Sequence, residues 1–158
     1  MSGTYKTLAP VARDPGGMTD EPERFDTKIA ILLRDDLAPW QELNVTSFLT
    51  SGIVASDSAL MGEPYQDADG TGYLALIRQP IVVLTGDAAT LRAAHGKALG
   101  RGLDLAVYIA EMFATGNDRD NRAAVRAVPR DALDLVGIAV HGPRNAVDRV
   151  FKGAALHR

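Results

Sequence analysis

Along residues 28–34, "KIAILLR", apolar side chains occupy odd and even positions alike. A run with no wet face predicts a strand covered on both sides, as in a parallel or mixed sheet. From Trp40 the spacing changes to three and four, and Val45, Phe48, Leu49 and Ile53 form one stripe. That period predicts a helix laid on the sheet, and Pro39, which has no amide hydrogen to lose, opens it. In "ASDSALMGEPYQDADGTGYLALIRQP" the pair Asp69-Gly70 predicts a turn with a short strand on either side.

The segment "IVVLTG" repeats the fully apolar strand signal. Asp87 then predicts the cap of a helix from about Ala88 to Gly100, with Leu91, Ala94, Ala98 and Leu99 facing inward. "RGLDLAVYI" ends that helix at glycine and starts another strand. "AEMFATGNDRDNRAAVRAVPRDA" reads as partly helical and rich in arginine. "LDLVGIAVHG" is a further strand, and Pro143 opens a last helix whose inner face is Ala146, Val147, Val150, Phe151 and Ala154. Strands alternating with helices place the chain in the α/β class, around a mixed sheet.

Residues 1–25 mix Pro, Gly, Asp and Glu without a sustained period and predict a flexible tail. The remainder, 26–158, is expected to form a single domain, since 158 residues suffice for one core and not for two ordinary ones. Apolar residues at 46% and charged residues at 23% agree with a packed globule. The absence of cysteine excludes disulfides, thiolate nucleophiles and cysteine metal sites. With no run of membrane-spanning length and no apolar leader at the N-terminus, the expected location is cytoplasmic, with no membrane partner.

Charge is distributed unevenly. Residues 1–87 carry 6 Lys or Arg against 13 Asp or Glu, and residues 88–158 carry 11 against 7, within a formal net charge of -3. A polar or anionic ligand would favour the second part, although solvated helix faces produce the same imbalance.

Familiar chemical motifs are missing. No glycine-rich phosphate loop precedes a Lys-Ser or Lys-Thr, and "TGDAAT" lacks the glycine spacing of a dinucleotide fingerprint. "DADG" at Asp67–Gly70 resembles the start of a calcium loop, but its twelfth position is Arg78 where a bidentate Glu is needed. "NDRDN" at Asn117–Asn121 reads as a solvated loop. Of the histidines, His95 lies beside an apolar stripe and His157 near the terminus. His141, expected at the end of the last strand, is the one placed to meet a ligand or cap a helix.

Two polar sets remain. Asn44, Ser47 and Ser51 share one side of the first helix, where small polar residues either admit a close neighbour or line a pocket. Glu111 and Thr115 stand one turn apart if "AEMFATG" is α-helical, directly after a central strand. Asp35 and Asp36 occupy the strand-to-helix turn as turn and capping residues, with Asp36 a candidate to contact a ligand.

The segments "KIAILLRDDL", "ELNVTSFLTSG", "QPIVVLTGDAATLRAAHGKALGRGLDLAVYIAEMFATG" and "LDLVGIAVHGPRNAVDRVFKGAAL" look like successive elements of the type-2 peptidyl-tRNA hydrolase fold. More closely, they resemble the uncharacterised bacterial family known as domain of unknown function 2000. The resemblance runs from about Lys28 to the C-terminus and implies a three-layer sandwich with a mixed four-stranded sheet, in a homodimer. The hydrolases cleave the ester between peptide and tRNA and need no metal, so no metal or other cofactor is implied. They carry a glycine- and lysine-rich turn with an essential lysine, where this chain has "APWQEL" and, at the matching position, Asn44. Their aspartate and threonine after the third main strand match Glu111 and Thr115.

An asparagine supplies no charge for a phosphate backbone, and the nearby turn is acidic, so nucleic acid is not the expected partner. The expectation is a diverged hydrolase or related enzyme acting on a small amide, ester or peptide-like substrate. Asn44 would position the substrate or stabilise an oxyanion, Glu111 would serve as base, and Thr115 would hold a polar group. Asp36, Ser47, Ser51 and His141 would help bind the substrate. The alternative is a non-catalytic small-ligand-binding or dimeric interaction protein on the same fold.

Overall fold

The computed structural model describes residues 23–158, so the expected tail falls outside the described residues up to residue 22. The first strand, β1 (Thr27–Arg34), has Ile29 to Leu33 fully enclosed, as its unbroken apolar run requires. The chain then forms α1 (Pro39–Ser56), and the side chain of Gln41 accepts the Ala38 amide at 2.9 Å to close the helix start. A hairpin of β2 (Tyr65–Gln66) and β3 (Gly72–Tyr73) turns at Asp69-Gly70, with Gly70 at φ 86. Next come β4 (Ile81–Gly86) and α2 (Ala88–Gly100), the latter capped by Asp87, whose carboxylate accepts the Thr90 amide at 2.8 Å.

After β5 (Asp104–Ile109) the chain makes a 3₁₀ turn at Ala110–Ala114 and then α3 (Asp118–Arg126). The "NDRDN" segment expected as a loop is therefore the capped first turn of a helix, with Asn117 accepting the Asp120 amide at 2.9 Å. Strand β6 (Leu135–Pro143), α4 (Arg144–Val150) and β7 (Ala155–Leu156) complete the chain.

The main sheet runs β5-β6-β1-β4-β7 and is mixed: β1 pairs parallel with β4 and antiparallel with β6. It has five strands where four were expected. The fifth, β7, pairs with β4 through Leu84–Leu156 and Thr85–Ala155. The last helix was expected to reach Ala154; it ends at Val150, and Gly153 at φ 99 reverses the chain. A two-residue strand is too short to show a period.

Three layers follow from β1's two apolar faces. On one, Val45, Leu49 and Ile53 of α1 pack on Ile29, Ile31, Leu33, Val136 and Ala139. On the other, α2 and α4 cover Ala30, Leu32, Ile138 and Val140. Two residues assigned inward face outward: Phe48 is 51% exposed and Leu99 43% exposed, while His95 takes the buried place on α2. His141 also departs from expectation. It sits within β6, in register between Ile29 of β1 and Asp104 of β5, rather than at the strand's end. Its ring is buried, and among the described residues neither nitrogen has a hydrogen-bond partner; the Asp104 carboxylate is 3.9 Å away.

Helix α1 packs tightly on the sheet over Gly137. A Cβ there would collide with Val45 Cγ1 and stand 3.1 Å from Leu49 Cδ1. Gly137→Ala is therefore expected to cost ~2 kcal/mol of stability by overpacking, measured by urea unfolding. An unchanged midpoint would show that α1 rides higher on the sheet.

Burial holds the His95 imidazole below its ordinary range, helped by the Arg130 charge and opposed by Asp131. The native state thus binds fewer protons than the unfolded chain. The resulting stability is fully present above the unfolded value, about 6.5, and declines as pH falls below it. His95→Leu should flatten that decline in urea titrations taken at successive pH values.

Candidate functional site

A cavity of about 790 Å³ lies between α1, the edge strand β5, the 3₁₀ turn and α3. Its α1 wall is a stripe spaced by four: Trp40, Asn44, Phe48 and Gly52. Asn44, Phe48 and Gly52 each stand one residue before a member of the core set Val45, Leu49 and Ile53, about 100° around the helix, and Trp40 continues their line one turn earlier. Packing that core set on the sheet therefore turns the neighbouring stripe toward β5.

Four of the protein's nine aromatic rings meet here. Trp40 packs edge-on to Phe113 at 5.6 Å between centroids, Phe113 lies 5.2 Å from Tyr108, and Phe48 packs edge-on to Tyr108 at 5.9 Å. Such tilted contacts suit the ring quadrupole and fix the rings against one another. Trp40 is 60% exposed, whereas Tyr108 is almost wholly buried. The Tyr108 hydroxyl accepts a hydrogen bond from the Asn44 side-chain amide at 3.1 Å. Burial pushes its pKa up and the Asn44 bond opposes this, so the phenol stays protonated near neutrality and remains a donor.

The opposite wall comes from the 3₁₀ turn and α3. The Thr115 hydroxyl donates to the Met112 carbonyl at 2.8 Å and rests against the Asn121 side-chain amide. Three charged residues line the cavity: Asp118, Arg122 and Arg126. Arg122 and Asp118 form an i,i+4 pair at 2.8 Å, while Arg126 has no ion-pair partner among the described residues.

The structure brings together three of the seven sequence-predicted residues: Asn44, Ser51 and Thr115 all line this cavity. Glu111 does not line it; the residue is exposed at the start of the 3₁₀ turn. The expected juxtaposition with Thr115 assumed α-helical geometry. With three residues per turn, positions four apart diverge by about 120°. Asp36 lies outside as well, its carboxylate taken by Arg34 at 2.6 Å. Ser47 returns its hydroxyl to the Leu43 carbonyl at 2.8 Å, and His141 is enclosed in the sheet.

Sequence reasoning missed Trp40, Tyr108, Phe113 and Arg126. The i,i+4 spacing of Trp40, Asn44 and Phe48 was a usable signal; the others converge from separate elements. His157, near the terminus, meets Glu42 at 3.0 Å and ties the C-terminus to α1, away from the cavity. No cluster of three His, Asp or Glu side chains able to hold a metal ion occurs among the described residues. No helix among them is long and apolar enough to cross a membrane.

Comparison with known proteins follows the same outline. A protein of unknown function from Agrobacterium tumefaciens strain C58 has a solved structure that is similar at a TM-score of 0.84 and 50% identity. The match covers 85% of this chain and 100% of the other. No curated protein matches the chain. The family model described as "Protein of unknown function (DUF2000)" matches residues 27–158, which is the whole layered domain from β1 onward, and the chain belongs to that family.

Proposed function

We propose that this protein binds a small molecule with an apolar or aromatic body in the cavity between α1 and α3, and that it does so without catalysing a reaction. The observation that carries this reading is the run of rings Trp40, Phe113, Tyr108 and Phe48 around a space of about 790 Å³. That volume falls in the usual range for small-ligand sites, and the mix of apolar walls with a few fixed polar groups is their usual composition. The buried Tyr108 hydroxyl and its Asn44 partner would orient one polar group of the ligand.

A diverged hydrolase is the competing reading, with Asn44 as oxyanion donor and Thr115 as a substrate contact. It lacks a base. Glu111 stands outside the cavity, and the one lining carboxylate, Asp118, is paired with Arg122. Among the described residues the lining holds neither a nucleophile hydrogen-bonded to a base nor a histidine, two common ways of driving acyl or ester hydrolysis. The type-2 peptidyl-tRNA hydrolase-like ancestry and the homodimer enter this proposal from the resemblance of the sequence.

Trp40 is the protein's single tryptophan, so its emission reports on the cavity directly. A thermal-shift screen of small aromatic and amphipathic metabolites should yield compounds that raise the melting temperature and alter Trp40 emission. Gly52→Leu should abolish both effects. Gly52 lines the cavity opposite β5, where a Cβ would stand 3.4 Å from that of Ala106, so the variant's unliganded melting temperature and circular dichroism are measured first to establish that it folds. Stabilisation that persists in Gly52→Leu would place the ligand elsewhere.

For a ligand so found, Asn44→Ala is expected to weaken binding by about 1 kcal/mol, or roughly fivefold, through loss of the Tyr108 partner. Model peptidyl-tRNA and simple aryl esters should not be turned over. Steady turnover that disappears in Thr115→Val would overturn the non-catalytic reading.

A further inference from the structure

We infer that the ligand of this cavity is an anion: an aromatic carboxylate whose ring enters between Trp40 and Phe48 and whose charge meets Arg126. The inference rests on the binding reading above and adds the ligand's charge and the residue that selects it.

Two observations combine. The first is where aromatic surface is left open. Tyr108 is buried beneath the cavity, but Trp40 and Phe48, on either side of Asn44 along α1, are 60% and 51% exposed. Large apolar groups open together at the rim of a concavity mark a surface that a ligand covers. Tilted neighbouring rings also present both faces and edges to an inserted ring.

The second observation is the charge of the lining. Aromatic walls of this kind serve cations as readily as neutral rings, since the ring face attracts positive charge. The rest of the lining decides against a cation. Its one carboxylate among the described residues, Asp118, is paired with Arg122 at 2.8 Å. Arg126, one turn further along α3, has no ion-pair partner among the described residues, in a chain whose overall formal charge is -3. A cationic ligand would be repelled by that guanidinium, whereas a carboxylate pairs with it in fork geometry. The Tyr108 hydroxyl, bonded to Asn44 only as an acceptor, has its proton free for the same ligand.

Calorimetric titration of the full chain with three probes of one shape tests this: 2-naphthoate, 2-naphthamide and 2-naphthylmethylammonium. The acid is expected to bind about tenfold tighter than the amide, the ammonium weakest, and added salt should narrow the gap. Arg126→Gln should bring acid and amide to equal affinity. The position is exposed in the last turn of α3, so melting temperature and circular dichroism are expected to stay unchanged. Equal binding of acid and amide by the parent protein, or a preference that survives Arg126→Gln, overturns the inference while leaving the binding reading standing. Failure of all three probes to bind overturns both.

Discussion

Helix α1 can lie on the sheet at its observed depth because position 137 carries no side chain. Val45 and Leu49 fill the space a Cβ of residue 137 would take, and that contact fixes the rotation of α1 about its own axis. Rotation is what matters for the site. With the stripe through Val45, Leu49 and Ile53 committed to the core, the stripe through Trp40, Asn44, Phe48 and Gly52 must face β5. One glycine on β6 thus sets which residues of α1 become the cavity wall beside the edge strand.

The polar contacts around that wall obey the same logic of satisfying what packing buries. Tyr108 brings a hydroxyl into an almost closed environment, and such a group costs free energy unless it is bonded. Asn44 supplies that bond, which accounts for an amide among the large apolar residues of its stripe. At this position a cation would sit beside the edge of the buried phenol and its aromatic neighbours, whereas the amide matches a neutral hydroxyl.

Elements with an internal period or a specific cap were legible in the sequence. The apolar run of β1, the Asp87 cap with α2 at Ala88–Gly100, the Pro39 opening of α1 and the turn at Asp69-Gly70 stand as expected. Apart from the i,i+4 spacing of Trp40, Asn44 and Phe48, what escaped had no local signature. Strand β7 is two residues long, and its pairing depends on the reversal at Gly153. Phe48 fits the core period within one residue, so only its contact with Tyr108 shows that it belongs to the cavity. The Glu111 and Thr115 pairing failed on the difference between α and 3₁₀ geometry, which no composition rule separates over five residues. Asn44, Ser51 and Thr115 were singled out as polar side chains, but the rings that give the cavity its character come from α1, β5 and the 3₁₀ turn, and only the fold brings them together.

The acidic turn after β1 explains why the cavity lies where it does. In α/β sheets, ligands commonly occupy the carboxyl ends of the parallel strands, which here are β1 and β4. That end is already filled. Arg34 at the tip of β1 pairs with Asp36 and with Asp134, both at 2.6 Å, and the two carboxylates hold its guanidinium above its ordinary pKa, with the Asp36 bond the largest cause. The Asp35 amide closes the same turn on the Gly86 carbonyl of β4 at 3.0 Å. A clamp joining the ends of β1 and β4 to the start of β6 leaves that end little unpaired polarity with which to receive a ligand. Edge strand β5, with a partner on one side only, and α3, packed on the 3₁₀ turn, leave a gap that α1 roofs with aromatic rings. The acidic pair thus acts structurally, by closing the usual position, and the open chemistry of the molecule lies at the edge of the sheet.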